Sequence, residues 1–250
     1  MHNLKTASQG AGYNERLFAG GLRGRLHWAR FAWIRAELAR YAAPVDSVLE
    51  LGCFDGKLLD FLPNVPRRYV GLDANWEGGL DLARTRFHAT PWTTFAETRT
   101  PADVAAALTP GQPFDVAVAM ETLEHLPPTH LNDYLAILER HVDGYLFVSV
   151  PTEIGPVFLA KWVAKALLRG DPEPYTSAEL LWTTIGASGR VERREHKGFD
   201  YRRLLDDLAL RFDIVSVSGQ PVRFVPPWLS FGVGIVARTK GSTRRRPPAA

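Results

Sequence analysis

The chain has 250 residues, of which 46% are hydrophobic and 23% charged. That is enough apolar material for one well-filled domain with additions and too little length for two full ones, and a single cysteine excludes an intrachain disulfide or a multi-cysteine metal site. Arg244, Arg245 and Arg246 alone account for the net charge of +3, because the other 27 Lys and Arg match 27 Asp and Glu, so the body carries no net charge to recommend it to nucleic acid. The cysteine usage suits a reducing compartment, with the cytoplasm as the default. The first twelve residues lack the basic-then-apolar order of a signal peptide, and no apolar run reaches the ~18 residues that would mark a membrane span.

Residues 1–44 are expected to form a helical cap. Leu26, Phe31, Ile34, Leu38 and Tyr41 recur at helical spacing among arginines, and Gly20-Gly21 divides two helices. Pro44-Val45-Asp46 marks the entry to a domain running from 45 to 240. Residues 47–51 read as a short apolar strand that breaks at Gly52 and passes through Cys53, Phe54 and Asp55 to Gly56, where a helix to 62 begins, stopped by Pro63 and Pro66. Gly52 lets the backbone turn, Gly56 lets a ligand come close, and a helix starting there would offer unpaired N–H groups to an anion. The second strand, 69–72, ends in Asp73, at about the 20-residue spacing at which nucleotide-binding units place a ribose-binding carboxylate.

Residues 75–86 carry a helical pattern, and 86–90 read as a short third strand with no acid at its end. Phe114 to Met120 is a nearly continuous apolar run, as expected of a strand covered on both faces. It leads into Glu121-Thr122-Leu123-Glu124-His125-Leu126, followed by a helix over 131–141 and a fifth strand over 144–151. Residues 152–195 interrupt the alternation with an amphipathic helix from Pro156, in which Phe158, Leu159 and Trp162 oppose Lys161, Lys165 and Arg169. That segment suits a lid, or contact with an anionic membrane or lipid-like acceptor. After a helix ending near 210, strands over 212–217 and 231–238 with no helix between them should pair antiparallel. Residues 241–250 form a basic tail whose composition is that of a disordered end.

With an acid ahead of glycines in Glu50-Leu51-Gly52-Cys53-Phe54-Asp55-Gly56, and with Gly71-Leu72-Asp73 closing the second strand, the chain resembles the class I S-adenosylmethionine-dependent methyltransferases. The acid-then-Leu-Glu-His ending after the fourth strand is similar to their small-molecule branch. Phe54 stands where the family usually has glycine. The resemblance covers roughly 45–240 and implies an α/β fold: a Rossmann-like, doubly wound, seven-stranded, mostly parallel sheet with a terminal antiparallel hairpin, N-terminal helices and a lid insertion after strand 5. It implies S-adenosylmethionine as cofactor, contacted by Glu50, Gly52, Cys53, Phe54, Asp55, Gly56, Asp73, Ala74, Asn75, Trp76, Met120 and Glu121. Asp73 would accept from the ribose hydroxyls and Glu50 would organise the loop near the methionine amino group, while Ala74, Asn75 and Trp76 are candidates beside an adenine contact left partly open. Helices before the first strand would fold over the cofactor, making Tyr13, His27 and Arg30 candidates to face the acceptor.

Methyl transfer from a sulfonium needs an aligned nucleophile, a dry pocket and sometimes a base. The segment after the fourth strand is not the Asn/Asp-Pro-Pro-aromatic clamp used on nucleic-acid amines, and Cys53 lies in the cofactor loop, away from any role on cytosine carbon. No nucleic-acid partner is expected. A small-molecule, sugar or lipid-linked acceptor remains, methylated at oxygen, with His125 as the base or else as a support for the loop before Pro127-Pro128. No metal enters this reading. Two alternatives stay open: a protein that binds S-adenosylmethionine without catalysis, and an NAD-dependent oxidoreductase, which would have to explain Glu50, Phe54 and the terminal hairpin.

Overall fold

The computed structural model describes residues 21–169, 174–194 and 196–243. Tyr13, the Gly20 half of the glycine break and the tail from Arg244 lie outside the described residues. Seven strands, β1 (Ser47–Leu51), β2 (Arg68–Asp73), β3 (Thr93–Glu97), β4 (Phe114–Met120), β5 (Val142–Pro151), β6 (Phe212–Gln220) and β7 (Gly232–Thr239), make one sheet in the order β3-β2-β1-β4-β5-β7-β6. The first five run parallel, whereas β7 is antiparallel to both β5 and β6. The expected hairpin is therefore present, with its second strand inserted between β5 and β6. Strand order reverses between β1 and β4, and in a sheet of this kind the crevice for a ligand opens at the carboxyl ends there.

The helices are α1 (Gly21–Tyr41), α2 (Gly79–Arg86), α3 (Pro101–Ala107), α4 (Pro128–His141), α5 (Gly155–Arg169), α6 (Ser177–Thr184) and α7 (Tyr201–Arg211). Both faces of the sheet are covered. On one, Val104 of α3, Leu135 and Leu138 of α4 and Leu204 and Leu208 of α7 pack on Leu49, Ala117, Leu146 and Ile235. On the other, Phe31, Trp33, Ile34 and Leu38 of α1 pack on Val48, Val116, Val118 and Val236. The four α1 side chains are at most 7% exposed, and each contributes about 1.5–3 kcal/mol by leaving water, so α1 is integral to the sheet. Its Trp33 also donates to Ser218 Oγ of β6 at 3.1 Å.

Three expectations are corrected. The third strand lies at Thr93–Glu97, not at 86–90. Residues 87–90 instead make a turn, with Thr90 N donating to Phe87 O at 2.9 Å and Thr93 N to Thr90 O at 3.1 Å; the run Thr93-Thr94-Phe95 has the β-branched and aromatic character a strand needs. Secondly, the helix expected over 56–62 is a 3-10 turn, Lys57–Phe61. Two N–H groups at its start are already used, Gly56 N on Cys53 O at 2.9 Å and Lys57 N on Asp55 Oδ1 at 3.1 Å, and are not free for the anion expected there. Thirdly, α2 begins at Gly79, four residues later than expected, behind the left-handed pair Asn75 (φ 54°) and Gly78 (φ 74°). No helix among the described residues is long and apolar enough to cross a membrane.

Candidate active site

A cavity of about 880 Å³ opens at the carboxyl ends of β1, β2 and β4, large for a single small ligand and adequate for a cofactor with an acceptor. Three non-glycine residues with positive φ follow those strands, one after each: Phe54 (φ 44°) and Glu121 (φ 50°), which line the cavity, and Asn75 (φ 54°), which does not. Such conformations cost energy and persist where the surroundings hold them, which is a mark of working sites. Gly52, with φ 78°, lies against Thr122, and a Cβ there would collide with that side chain. The Thr122 hydroxyl sits 3.1 Å from Leu51 O and 3.0 Å from Met120 O, joining the tips of β1 and β4.

Asp73 ends β2 with its carboxylate between two loops. Oδ2 accepts from Phe54 N at 3.0 Å and Oδ1 from Asn75 N at 2.7 Å. Glu50, one strand across, is 3% exposed and accepts a hydrogen bond from the Tyr69 hydroxyl. Burial pushes its carboxyl well above the usual range, the Tyr69 hydrogen bond working against that rise and the charges of Asp55 and Asp73 adding to it. Cys53 is also buried, with its thiol pushed well up chiefly by burial, and it packs where a Cβ on Gly71 would meet Sγ at 2.8 Å.

Of the residues expected at the cofactor, Glu50, Gly52, Cys53, Phe54, Asp73, Ala74, Trp76, Met120 and Glu121 line the cavity, and so does His125. Asp55, Gly56 and Asn75 do not reach its wall. Asp55 Oδ1 accepts from Lys57 N, Gly56 underlies the Phe87 ring, and the Asn75 side chain bonds Asp81 at 3.1 Å. From α1, His27 and Arg30 face the cavity as expected. Arg30 pairs with Glu121 at 2.9 Å, and Ser149 Oγ donates to the same carboxylate at 3.1 Å.

Several lining residues were missed. Thr98 and Arg99 follow the true β3 and were hidden by the misplaced strand. Glu153 and Lys161 bring the start of the insertion to the wall, where Lys161 Nζ bonds Glu153 at 2.8 Å and Thr152 O at 2.7 Å. His196, between α6 and α7, meets His125 with ring centroids 4.5 Å apart in an edge-on arrangement. Glu124 lies beneath them with no exposed surface, its Oε1 4.0 Å from His125 Nε2. Burial and then the charge of Glu121 push its carboxyl well up. The sequence separation between His125 and His196 leaves no local pattern by which to pair them.

A family model described as a methyltransferase domain matches residues 25–216. The chain belongs to that methyltransferase family. Together with the sheet order, this makes it a class I S-adenosylmethionine-dependent methyltransferase, and the oxidoreductase and non-catalytic alternatives are set aside. Solved structures share its fold at low identity. A S-adenosylmethionine-dependent methyltransferase from Clostridium acetobutylicum is 12% identical, with 86% of this chain and 91% of that chain covered and a TM-score of 0.58. The N-methyltransferase NodS from Bradyrhizobium japonicum, solved with S-adenosyl-L-homocysteine, is 15% identical over 91% and 96%, with a TM-score of 0.54. The magnesium protoporphyrin IX methyltransferase ChlM from Synechocystis, also with that product bound, is 16% identical over 90% and 92%, with a TM-score of 0.55. No curated protein matches the sequence.

Proposed function

We propose that this methyltransferase holds S-adenosylmethionine at the tips of β1 and β2 and methylates an oxygen of a small-molecule acceptor, free, sugar-bearing or lipid-linked. The site fits the cofactor: Asp73 spends one lone pair of each oxygen on the loops and keeps others for ribose hydroxyls, and the turn at Gly52 leaves room that any side chain would fill. Bound there, S-adenosylmethionine supplies an electrophilic methyl carbon. Glu50 and the Tyr69 hydroxyl brace the loop from below. Trp76 stands exposed at the rim, with Ala74 beside it and Thr98 and Arg99 across from it as further candidates for the adenine side.

The observation that carries the oxygen assignment is the meeting of His125 and His196 over Glu124 just past β4. An oxygen acceptor must lose a proton as it is methylated, and this grouping is the part of the cavity able to promote that loss. Leu26, Phe31, Leu126 and Phe231 supply apolar walls that keep water from competing. We assign His125 to activating the acceptor oxygen. Once an acceptor is found by mass spectrometry of cell extracts incubated with methyl-labelled cofactor, His125→Gln should lower kcat by about 10²–10⁴-fold. A variant turning over within a few fold of wild type while melting earlier removes His125 from the chemistry, and label found on nitrogen removes the oxygen assignment.

A lipid-linked acceptor has one feature in its favour. α5 lies over the site as a lid at its start, with Phe158 buried, yet its far end exposes Leu167 and Leu168 to more than 80%. Flotation with anionic liposomes tests it: co-flotation lost in Leu167→Asp supports membrane contact, and no flotation of wild type leaves the lid role alone.

A further inference from the structure

We propose that Glu124, His125 and His196 bind a divalent first-row transition metal ion, open on one side to the cavity, and that this ion holds the acceptor oxygen. It rests on the oxygen reading given above and replaces the simpler expectation, free of metal, that the His125 ring itself takes the proton.

Glu124 is the starting point. It is fully buried, and neither carboxylate oxygen has a hydrogen-bond donor from another of the described residues. Buried polar groups are nearly always partnered, and the contrast within this chain is direct. Glu37, buried to nearly the same degree, also has no hydrogen-bond donor on its carboxylate, but Arg223 stands 2.6 Å from it as an ion-pair partner. Around Glu124 the His125 ring stands at 4.0 Å, Arg30 is spent on Glu121, and Arg30 and Arg193 act on the carboxylate as charges without a hydrogen bond to it. Arg193 donates to the Glu124 carbonyl instead of its carboxylate and lies over the Phe199 ring at 4.7 Å. A buried nitrogen of His196, Nδ1, is likewise without a partner.

The three side chains converge. One ligand atom from each of Glu124, His125 and His196 lies within 4.8 Å of the others. Metal–ligand bonds of about 2.0–2.2 Å place three ligand atoms of one ion about 3.3–3.8 Å apart, so the side chains have to close in by about an ångström to complete the site. The left-handed turn at Glu121 and the 3-10 turn Leu123–His125 put Glu124 inward and His125 against the cavity. Arg193, gripping the carbonyl of Glu124, ties this turn to the segment that carries His196.

Two imidazoles and one carboxylate favour Mn²⁺, Fe²⁺, Co²⁺ or Zn²⁺ over Mg²⁺ and Ca²⁺, which prefer oxygen alone. Three protein ligands on one side leave positions for an exchangeable group, the pattern of a catalytic site and not of a closed structural one. A hydroxyl bound to such an ion loses its proton to solvent at the cavity mouth at lower pH than when free.

The test uses the full chain, stripped with a chelator and titrated with Mn²⁺ or Zn²⁺ alone, with S-adenosylhomocysteine binding measured in parallel. The expected result is about one ion per chain, a rise in melting temperature on adding it, weaker binding of Mg²⁺, and nitrogen ligation in the Mn²⁺ paramagnetic resonance spectrum. His196→Ala and the isosteric Glu124→Gln should each lower ion affinity at least about tenfold, with the metal-free fold checked by circular dichroism. A chain that binds S-adenosylhomocysteine and takes up no ion overturns the site and leaves the methyltransferase standing. Ion binding unchanged in both folded variants overturns it too. Ion binding at these residues without S-adenosylhomocysteine binding supports the site and instead removes the cofactor placement it was built on.

Discussion

The Phe54 ring lies directly over Gly79, so that a Cβ at 79 would fall within the ring. Phe54 occupies the left-handed region, at φ 44°, which favours glycine, and the first residue of α2 is bare to receive its side chain. Two oddities of the sequence, a bulky residue in the glycine loop and a glycine pair at a helix start, are thus one packing arrangement. Gly79→Ala should cost about 1–3 kcal/mol in the wild type by overpacking, and little or nothing in a Phe54→Gly background, where Ala is the better helix residue. Urea unfolding of the four proteins measures the coupling, and additive effects contradict it.

Glu50 predicts a pH dependence. Its folded-state pKa is raised above the unfolded value, first by burial. Its contribution to stability is therefore complete below the ordinary carboxylate range and drains away as pH rises through the raised value. Glu50→Gln keeps the shape and cannot ionise, so between about pH 5 and about pH 8 the ligand-free variant should lose less stability than the wild type. Parallel melting curves across that range would contradict the assignment.

Arg30 and Glu121 tie α1 to the end of β4 at 2.9 Å, with side chains 25% and 22% exposed. Partly exposed pairs are worth about 0.2–1 kcal/mol, so Arg30→Ala should weaken S-adenosylhomocysteine binding by at most about fivefold. The loss should shrink at high salt, where the wild-type pair is already screened. An unchanged dissociation constant at low salt separates α1 from the site.

Cys53 should be chemically silent despite its place in the loop. It is 3% exposed and its thiol is pushed well up, whereas reactive cysteines are exposed and acidic. Ellman's reagent should modify it only after unfolding. Rapid reaction of the native protein is the contrary outcome.

The sheet was legible in the sequence wherever a strand was buried on both faces. β4 is an apolar run broken only by Asp115, and the acid closing β2 announces its own end. β3 was not legible because it is an edge strand, half-exposed along its length, so the apolar signal there is no stronger than in the turn before it. The residues proposed for the cofactor are local in sequence, at Glu50 to Phe54 and at Asp73, Ala74 and Trp76, which is why a motif could point to them and why they share one cavity wall. On the other side His27, Arg30 and His125 were legible as candidates, whereas His196 was not, since it meets His125 only through the fold. Nor does sequence reveal that the N–H groups at Gly56 and Lys57 are consumed by their own loop.

The most direct measurement is calorimetric titration of S-adenosylhomocysteine into the wild type and into Asp73→Ala. The wild type should bind one molecule per chain. The variant, with the carboxylate between Phe54 N and Asn75 N removed, should lose about 1.5–3 kcal/mol, roughly ten- to a hundredfold in affinity. Equal affinity in a folded variant, or no binding by the wild type, contradicts the placement of the cofactor at the ends of β1 and β2.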